Sequence, residues 1–307
     1  MWQKLPTILL MTWIISSVDA AQITCQIAKN TCNVISATAV ASPIEAVTVA
    51  GLPPNQVLTD IKKISFIGAN FEYFPSGIFK IFTGLNAVLI NGNTSPYLLH
   101  YAFSNCLNLV TIQITNANLK QVDGNFAKTC TGITSLYLVK NNIVSIHYLA
   151  FAGLQNLQYL DMSYNQITCL PFNLFQVIPN IATINLQYNK ITALDWNLFK
   201  GLPNLSTVNL AFNTLATIPY FELAGTGTGA KGISFNFESN QLKSLVPEMC
   251  STLFQPAYNV ENMYLSNNPC LLTNVIYINK HNCDQMESAF KTCYQNWFPI
   301  TNNPIRC

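Results

Sequence analysis

The stretch Ile133-Thr134-Ser135-Leu136-Tyr137-Leu138-Val139-Lys140-Asn141-Asn142-Ile143 decides the fold. Apolar residues stand at 133, 136 and 138, Asn141 follows, and apolar residues return at 143 and 146. The pattern recurs as Leu157, Leu160, Met162, Asn165, Ile167, Leu170, then as Ile181, Ile184, Leu186, Asn189, Ile191, Leu194. Leu205, Val208, Leu210, Asn213, Leu215 and Ile218 repeat it again. Upstream, Leu85, Val88, Ile90 and Asn93 fit, and Ala117 and Ala69 take the asparagine place in two further copies. The asparagine slot therefore falls at 69, 93, 117, 141, 165, 189 and 213, each 24 residues apart. Looser copies follow at Asn240 and Asn268, spaced 27 and 28. The insertion Ala224-Gly225-Thr226-Gly227-Thr228-Gly229 accounts for the first lengthening.

Physically, the alternation x-Leu-x-Leu-x predicts a short strand with one face buried and one open. One strand per coil builds a parallel sheet, and the rest of each coil returns along the opposite side. A single coil cannot bury its apolar face, so stability becomes a sum of coil and neighbour contributions.

Over residues 61 to 269 the chain resembles the leucine-rich repeat family, whose periods include 24. The phenylalanine column Phe79, Phe103, Phe151, Phe175 and Phe199, ten residues after the slot, is similar to that of the extracellular 24-residue subclass. Ala127 (beside Phe126) and Leu223 (near Phe221) are its imperfect members. The resemblance implies a curved α/β solenoid with a parallel sheet on the concave face and an irregular, short-helical convex side. It also implies that the slot asparagines hydrogen-bond backbone groups as a ladder, so that Ala69 and Ala117 mark weaker turns. Cys25 and Cys32, with Val47 and Val49 as a first strand, are expected to form an N-terminal cap over residues 21–60. Asn267-Asn268-Pro269-Cys270 resembles the opening of a cysteine-rich C-terminal cap over 270–307, though without the family's Cys-x-Cys. Within that cap, Asp284 is placed to cap a helix whose Met286, Phe290, Cys293 and Trp297 share a face.

Residues 1–20 read as a secretory signal: Lys4, an apolar run over residues 8–15, and Val18-Asp19-Ala20 before the cleavage point. The run is shorter than the roughly 20 residues that span a bilayer. No later stretch spans a membrane, and the tail lacks the hydrophobic end of a glycolipid-anchor signal. The expectation is a secreted, extracellular or cell-wall-associated protein. Ten cysteines in such a chain predict disulfides. Cys25 and Cys32 are expected to pair, and Cys270, Cys283, Cys293 and Cys307 to make two bridges in one of three connectivities. Cys106 and Cys130 occupy one slot on adjacent coils, about 5 Å apart, which suits a bridge, with two buried thiols as the alternative. Cys169 and Cys250 lie about three coils apart, too far to meet, and are expected to be free thiols. Of two glycosylation sequons, Asn204-Leu205-Ser206 should be occupied. Asn93-Thr94-Ser95 should be bare, because a buried ladder amide cannot carry a glycan.

Composition excludes several functions. Charged residues are 9% of the chain, with a net charge of +2, where about 25% is usual. Nucleic acid and anionic membranes demand clustered Lys and Arg, which are missing. Half of the chain is hydrophobic, which excludes disorder, and 36 residues are asparagine. There is no Gly-x-Ser-x-Gly, no His-Glu-x-x-His and no phosphate loop. His100 and His147 fall on the return side of the coil, and His281 in the C-terminal cap. No enzyme activity, metal or cofactor is implied.

The expected function is a secreted recognition module for a protein, peptide or neutral glycan. A wall or matrix structural protein and a receptor-type ectodomain are the alternatives; ending at a cap cysteine favours a complete secreted unit. Residues four before and one before the slot are expected to face out of the sheet. The second of these columns places Tyr164, Tyr188 and Phe212 on consecutive coils, an aromatic ridge about 10 Å long at about 5 Å per strand. Asp161, Asn185 and Asn209 run beside it, with Tyr137, Tyr159 and Gln187 at the margins. Rings supply apolar area and amides exchange hydrogen bonds, which suits a neutral partner and weak salt dependence.

Overall fold

The computed structural model describes residues 21–37, 47–69, 73–93, 102–229, 232–245, 258–271, 277–279 and 281–283, with 250, 254 and 293. The signal segment, His100, Cys307 and the cap helix expected after Asp284, apart from its helical Cys293, lie outside these.

Two strands with apolar residues at alternate positions open the chain: β1 (Ala21–Ala28) and β2 (Thr31–Ala37), an antiparallel hairpin turned at Lys29, whose φ is 55°. Next, β3 (Val47–Ala50) lies parallel to β1 at the sheet's outer edge. Val47 and Val49 thus form the expected strand, but the hairpin stands between it and the first repeat. Strands β4 (Lys63–Ile67), β5 (Ala87–Asn91) and β6 (Thr111–Thr115) begin the repeats. They are followed by β7 (Gln121–Val122), β8 (Ser135–Tyr137), β9 (Ser145–Ile146), β10 (Tyr159–Asp161), β11 (Thr183–Asn185) and β12 (Thr207–Asn209). Next come β13 (Ile233–Asn236), β14 (Val260–Tyr264) and β15 (Tyr277–Asn279). The short pair β7–β9 makes a separate two-stranded sheet. All other strands form one 13-stranded sheet, parallel throughout the repeats. Its register follows the sequence period: Tyr159 faces Thr183 and Thr183 faces Thr207. At the far end β15 pairs antiparallel with β14. Helix is scarce among the described residues: an α-helical turn, Ile78–Ile81, a 3-10 turn, Leu58–Asp60, and the helical positions Cys250 and Cys293. The chain is a leucine-rich-repeat solenoid of nine coils, one for each of β4, β5, β6, β8 and β10 to β14.

The slot asparagines are buried and span coils. Asn165 accepts the N–H of Ile143 at 3.1 Å and donates to the carbonyls of Leu138 and Met162 at 2.8 and 2.9 Å. Asn189, Asn213, Asn240 and Asn268 repeat these three bonds one coil on each time. Turn groups that would otherwise be orphaned in the core are thereby paired. At the third coil Ala117 has no side-chain amide to offer. The bonding also shifts, because Asn141 accepts the N–H of Ala117 itself, at 2.8 Å.

The phenylalanine column packs in two stretches, Phe79 to Phe126 and Phe151 to Phe221. Phe126 packs edge-on against Phe103, and Phe221 against Phe199, so a neighbouring ring fills each gap that Ala127 and Leu223 leave. Phe151, Phe175 and Phe199 stack at 6.5 and 6.0 Å. Strands on the inner side are held about 4.8 Å apart by their hydrogen bonds. The wider outer spacing is what bends the stack into a horseshoe.

Cys25–Cys32 and Cys106–Cys130 are both bridged, with Cα separations of 5.2 and 4.9 Å. Two expectations are corrected. Cys250 is not a free thiol: it is bonded to Cys283, Cα to Cα 5.5 Å. Cys169 is disulfide-bonded as well, and no described cysteine is free. Distances between coils do rule out a link between these two, but they ignore chain that leaves the stack and folds back on it. The cap therefore does not pair its four cysteines among themselves. Cys270 joins Cys293, while Cys283 reaches back to Cys250.

Candidate functional site

Each strand places alternate side chains on the open side, and there the sequence reading of Asp161, Asn185 and Asn209 holds: all are partly exposed. Their side-chain polar groups, however, are already engaged. Asp161, Asn185, Asn209 and Asn236 each accept the backbone N–H two residues on, at 2.9 to 3.2 Å. Laterally, Asn185 donates to Asp161 at 3.0 Å and Asn209 to Gln187 at 3.1 Å. These side chains fix the exit turn from each strand, as Asx turns do, and a second polar ladder lines the concave surface.

The aromatic column faces out for a different reason than strand alternation. Strand β10 ends at Asp161, three residues before Tyr164. Tyr164, Tyr188 and Phe212 occupy the left-handed region, with φ of 57°, 55° and 55°. The whole column shares this conformation, from Gly68 and Gly92 through Asn116 and Lys140 to Ser239 and Asn267. Gly and Asn adopt it readily; a bulky L-residue there costs about 1 kcal/mol. Three consecutive coils bear that cost and gain a stack. Tyr164 and Tyr188 lie 4.4 Å apart with planes 13° apart, and Tyr188 and Phe212 4.3 Å and 9° apart. The ridge is shorter than strand spacing predicts, as befits the inside of a curve. It stays open to solvent, at 42%, 37% and 44% exposure.

One end of the stack is closed by Lys140, whose Nζ sits 5.6 Å from the Tyr164 ring centre. Desolvation, then the neighbouring Tyr164 hydroxyl, pushes the Tyr188 hydroxyl above its ordinary pKa. At the margin Tyr137 leans on Tyr159 at 5.1 Å. Burial, then the Asp161 carboxylate, raises the Tyr159 pKa. All nine residues of the expected site thus fall on one continuous surface over β8 to β12.

A second aromatic column escaped the sequence reading. Tyr148, Phe172, Trp196 and Tyr220 are again 24 apart and stand seven residues after the slot, on the return side. Tyr148, Phe172 and Tyr220 are 59%, 46% and 42% exposed. His147 stacks on Tyr148 at 4.5 Å, and its Nδ1 accepts the N–H of Leu149, so it serves the turn. Among the described residues no three His, Cys, Asp or Glu side chains come together to hold a metal. No described helix is long and apolar enough to cross a membrane.

Family models for the leucine-rich repeat match residues 107–167, 131–190 and 179–225. A model for the BspA-type leucine-rich repeat region matches 58–134. No curated protein sequence matches the chain. Among solved structures, a chain of the Toll–Spatzle complex of Drosophila superposes with a TM-score of 0.57 at 19% identity, over 70% of this chain and 29% of that one. This protein thus spans well under half of that relative's length. A chain from the complex of Latrophilin 3, Unc5D and FLRT2 gives 0.56 at 18% identity, over 81% of this chain and 85% of that one. These likenesses are of fold. The chain belongs to the leucine-rich repeat family, and its disulfide-bonded ends fit the extracellular, cysteine-capped type.

Proposed function

We propose that the protein is an exported recognition module that takes a protein or peptide partner on its concave face at the coils of β10, β11 and β12. One observation carries this: three aromatic side chains stand exposed in a backbone conformation that Gly or Asn would fill at lower cost. Costly conformations that persist on a surface point to a role for the side chain. Tyrosine is enriched where interfaces concentrate their energy. The stacking also favours a protein over a glycan. A sugar ring packs on the face of an aromatic, and here the inner faces cover one another, leaving edges, tyrosine hydroxyls and a single open face at the Phe212 end. The disulfides, the apolar leader and the extracellular complexes of similar fold support export. No constellation on this face supports enzyme chemistry.

The test compares capture of extracellular proteins by three immobilised forms. Tyr164→Asn with Tyr188→Asn keeps a residue suited to the left-handed turn, and is expected to lose the partners the unchanged protein retains. Tyr148→Ala with Phe172→Ala, on the return side, should retain them. Equal retention by all three forms places the site elsewhere.

A further inference from the structure

The aromatic stack has two ends, and only one is filled. Lys140 stands over Tyr164 at the first end. At the other, Tyr188 covers one face of Phe212 at 4.3 Å, so the opposite face looks toward the next coil. The residue there in the same column is Ser239, too small to add a layer. Phe212 is accordingly the most exposed of the three rings, at 44%.

The same neighbouring coil brings a carboxylate. The Phe212 N–H donates to the Glu238 carbonyl at 2.9 Å, which fixes the two residues side by side. The Glu238 side chain is held in place and half exposed: Asn236 donates to Oε2 at 3.1 Å and the Ser266 hydroxyl to Oε1. Along the strand segments of the coils from β10 to β14, Asp161, Glu238 and Glu261 are the acidic residues and there is no Lys or Arg. A ring face and an oriented carboxylate, one coil apart on a surface without competing cations, suit a group both flat and positive.

Resting on the reading of the concave face above, we infer that the partner inserts an arginine side chain as the fourth layer of this stack. Its guanidinium lies over Phe212 in the space above Ser239, and its N–H groups reach the Glu238 carboxylate. Guanidinium is planar and less strongly hydrated than ammonium, so it can stack and hydrogen-bond at once, whereas lysine brings only a point charge. One paired charge also keeps the salt dependence of the whole contact small.

The probe is N-acetyl-Gly-Arg-Gly-amide, titrated into the disulfide-intact protein labelled at phenylalanine and followed by NMR. The controls are the same peptide with citrulline, which is neutral and nearly isosteric, or with lysine. The arginine peptide should shift the Phe212 ring signals and bind about tenfold or more tightly than the citrulline peptide, the discrimination expected of one charge-assisted contact. Ser239→Tyr, which supplies the fourth layer from the protein itself, and Glu238→Gln, whose oxygen still accepts from Asn236 while its NH2 donates to the Ser266 hydroxyl, should each erase the preference. Equal binding of arginine and citrulline peptides, or shifts confined to other rings, overturns the inference on the unchanged protein alone. Should that happen while Tyr164→Asn with Tyr188→Asn still abolishes partner capture, the ridge stands and only the arginine layer falls.

Discussion

Replacing Asn165 by Ala tests the ladder at its best-defined rung. The side chain makes four bonds, to the carbonyls of Leu138, Met162 and Ser163 and from the N–H of Ile143. Two of these losses are covered. The Met162 carbonyl keeps a bond from Asn189 at 3.0 Å, and that of Ser163 keeps the N–H of Lys140 at 3.1 Å. The Ile143 N–H and the Leu138 carbonyl are left without a partner in a core where Ile143 and Leu138 are fully buried. Each orphaned group costs about 1–3 kcal/mol, so the variant should lose about 4 kcal/mol. That is a large share of the roughly 5–15 kcal/mol that holds a native domain. Chemical denaturation of the oxidised protein, followed by circular dichroism, reads the difference directly. The comparison is Asn204→Ala, whose exposed amide reaches only the Asn180 side chain and should change stability by under about 0.5 kcal/mol. A loss below about 1 kcal/mol for Asn165→Ala, with an unchanged denaturant slope, would mean that water enters the turn and satisfies both groups. The ladder would then be decoration.

Three further outcomes are expected. The Tyr258 pKa is pushed up to about 12, first by its hydrogen bond with Tyr220 and then by burial. Because the unfolded tyrosine ionises near 10, this stabilisation is complete below pH 10 and is lost as pH rises toward 12. A tyrosinate absorbance titration should show a step near pH 12 that Tyr258→Phe removes. Replacing both Cys106 and Cys130 by Ser opens a link with a sequence separation of 24 and should cost about 3 kcal/mol, read by denaturation under non-reducing conditions. Expression through a secretory pathway should attach a glycan at Asn204, which is exposed, and none at Asn93, which is 1% exposed and donates to the Ala69 carbonyl. Mass spectrometry of Asn204→Gln should show the glycan gone.

The sequence period made the stack legible because each strand pairs with the residue 24 positions on, so one in-phase column fixes the whole register. The buried asparagines and Cys106–Cys130 followed from the same periodicity. What it could not reach is whatever leaves the period. The β1–β2 hairpin and the antiparallel β15 are set by contacts at the ends of the stack, and the bond from Cys250 to Cys283 likewise answers to chain that folds back. On the concave face the columns were found but one reason was mistaken. Alternation stops where the strand stops, at Asp161, and the turn beyond decides where Tyr164 points. Gly68, Gly92, Asn116 and Asn267 in that column carried the signal for a left-handed turn. The self-pairing of Asn185 and Asn209 was invisible, since a sequence lists donors without saying who already holds them.

The third coil joins two of these features. It lacks the ladder amide at Ala117, and Cys106 and Cys130 stand one full coil apart at its two ends. A stack loaded from end to end parts where a rung lacks its amide, and here one such rung carries the clasp. While the bridge is closed, the coils before and after it share one fate. Once reduced, the horseshoe has a seam between its first coils and the run that bears the aromatic ridge. Amide hydrogen exchange would then rise first on the N-terminal side, in β4 and β5, while β10 to β12 stay shut. The redox state of this one bridge would thus decide whether the solenoid behaves as one body or two.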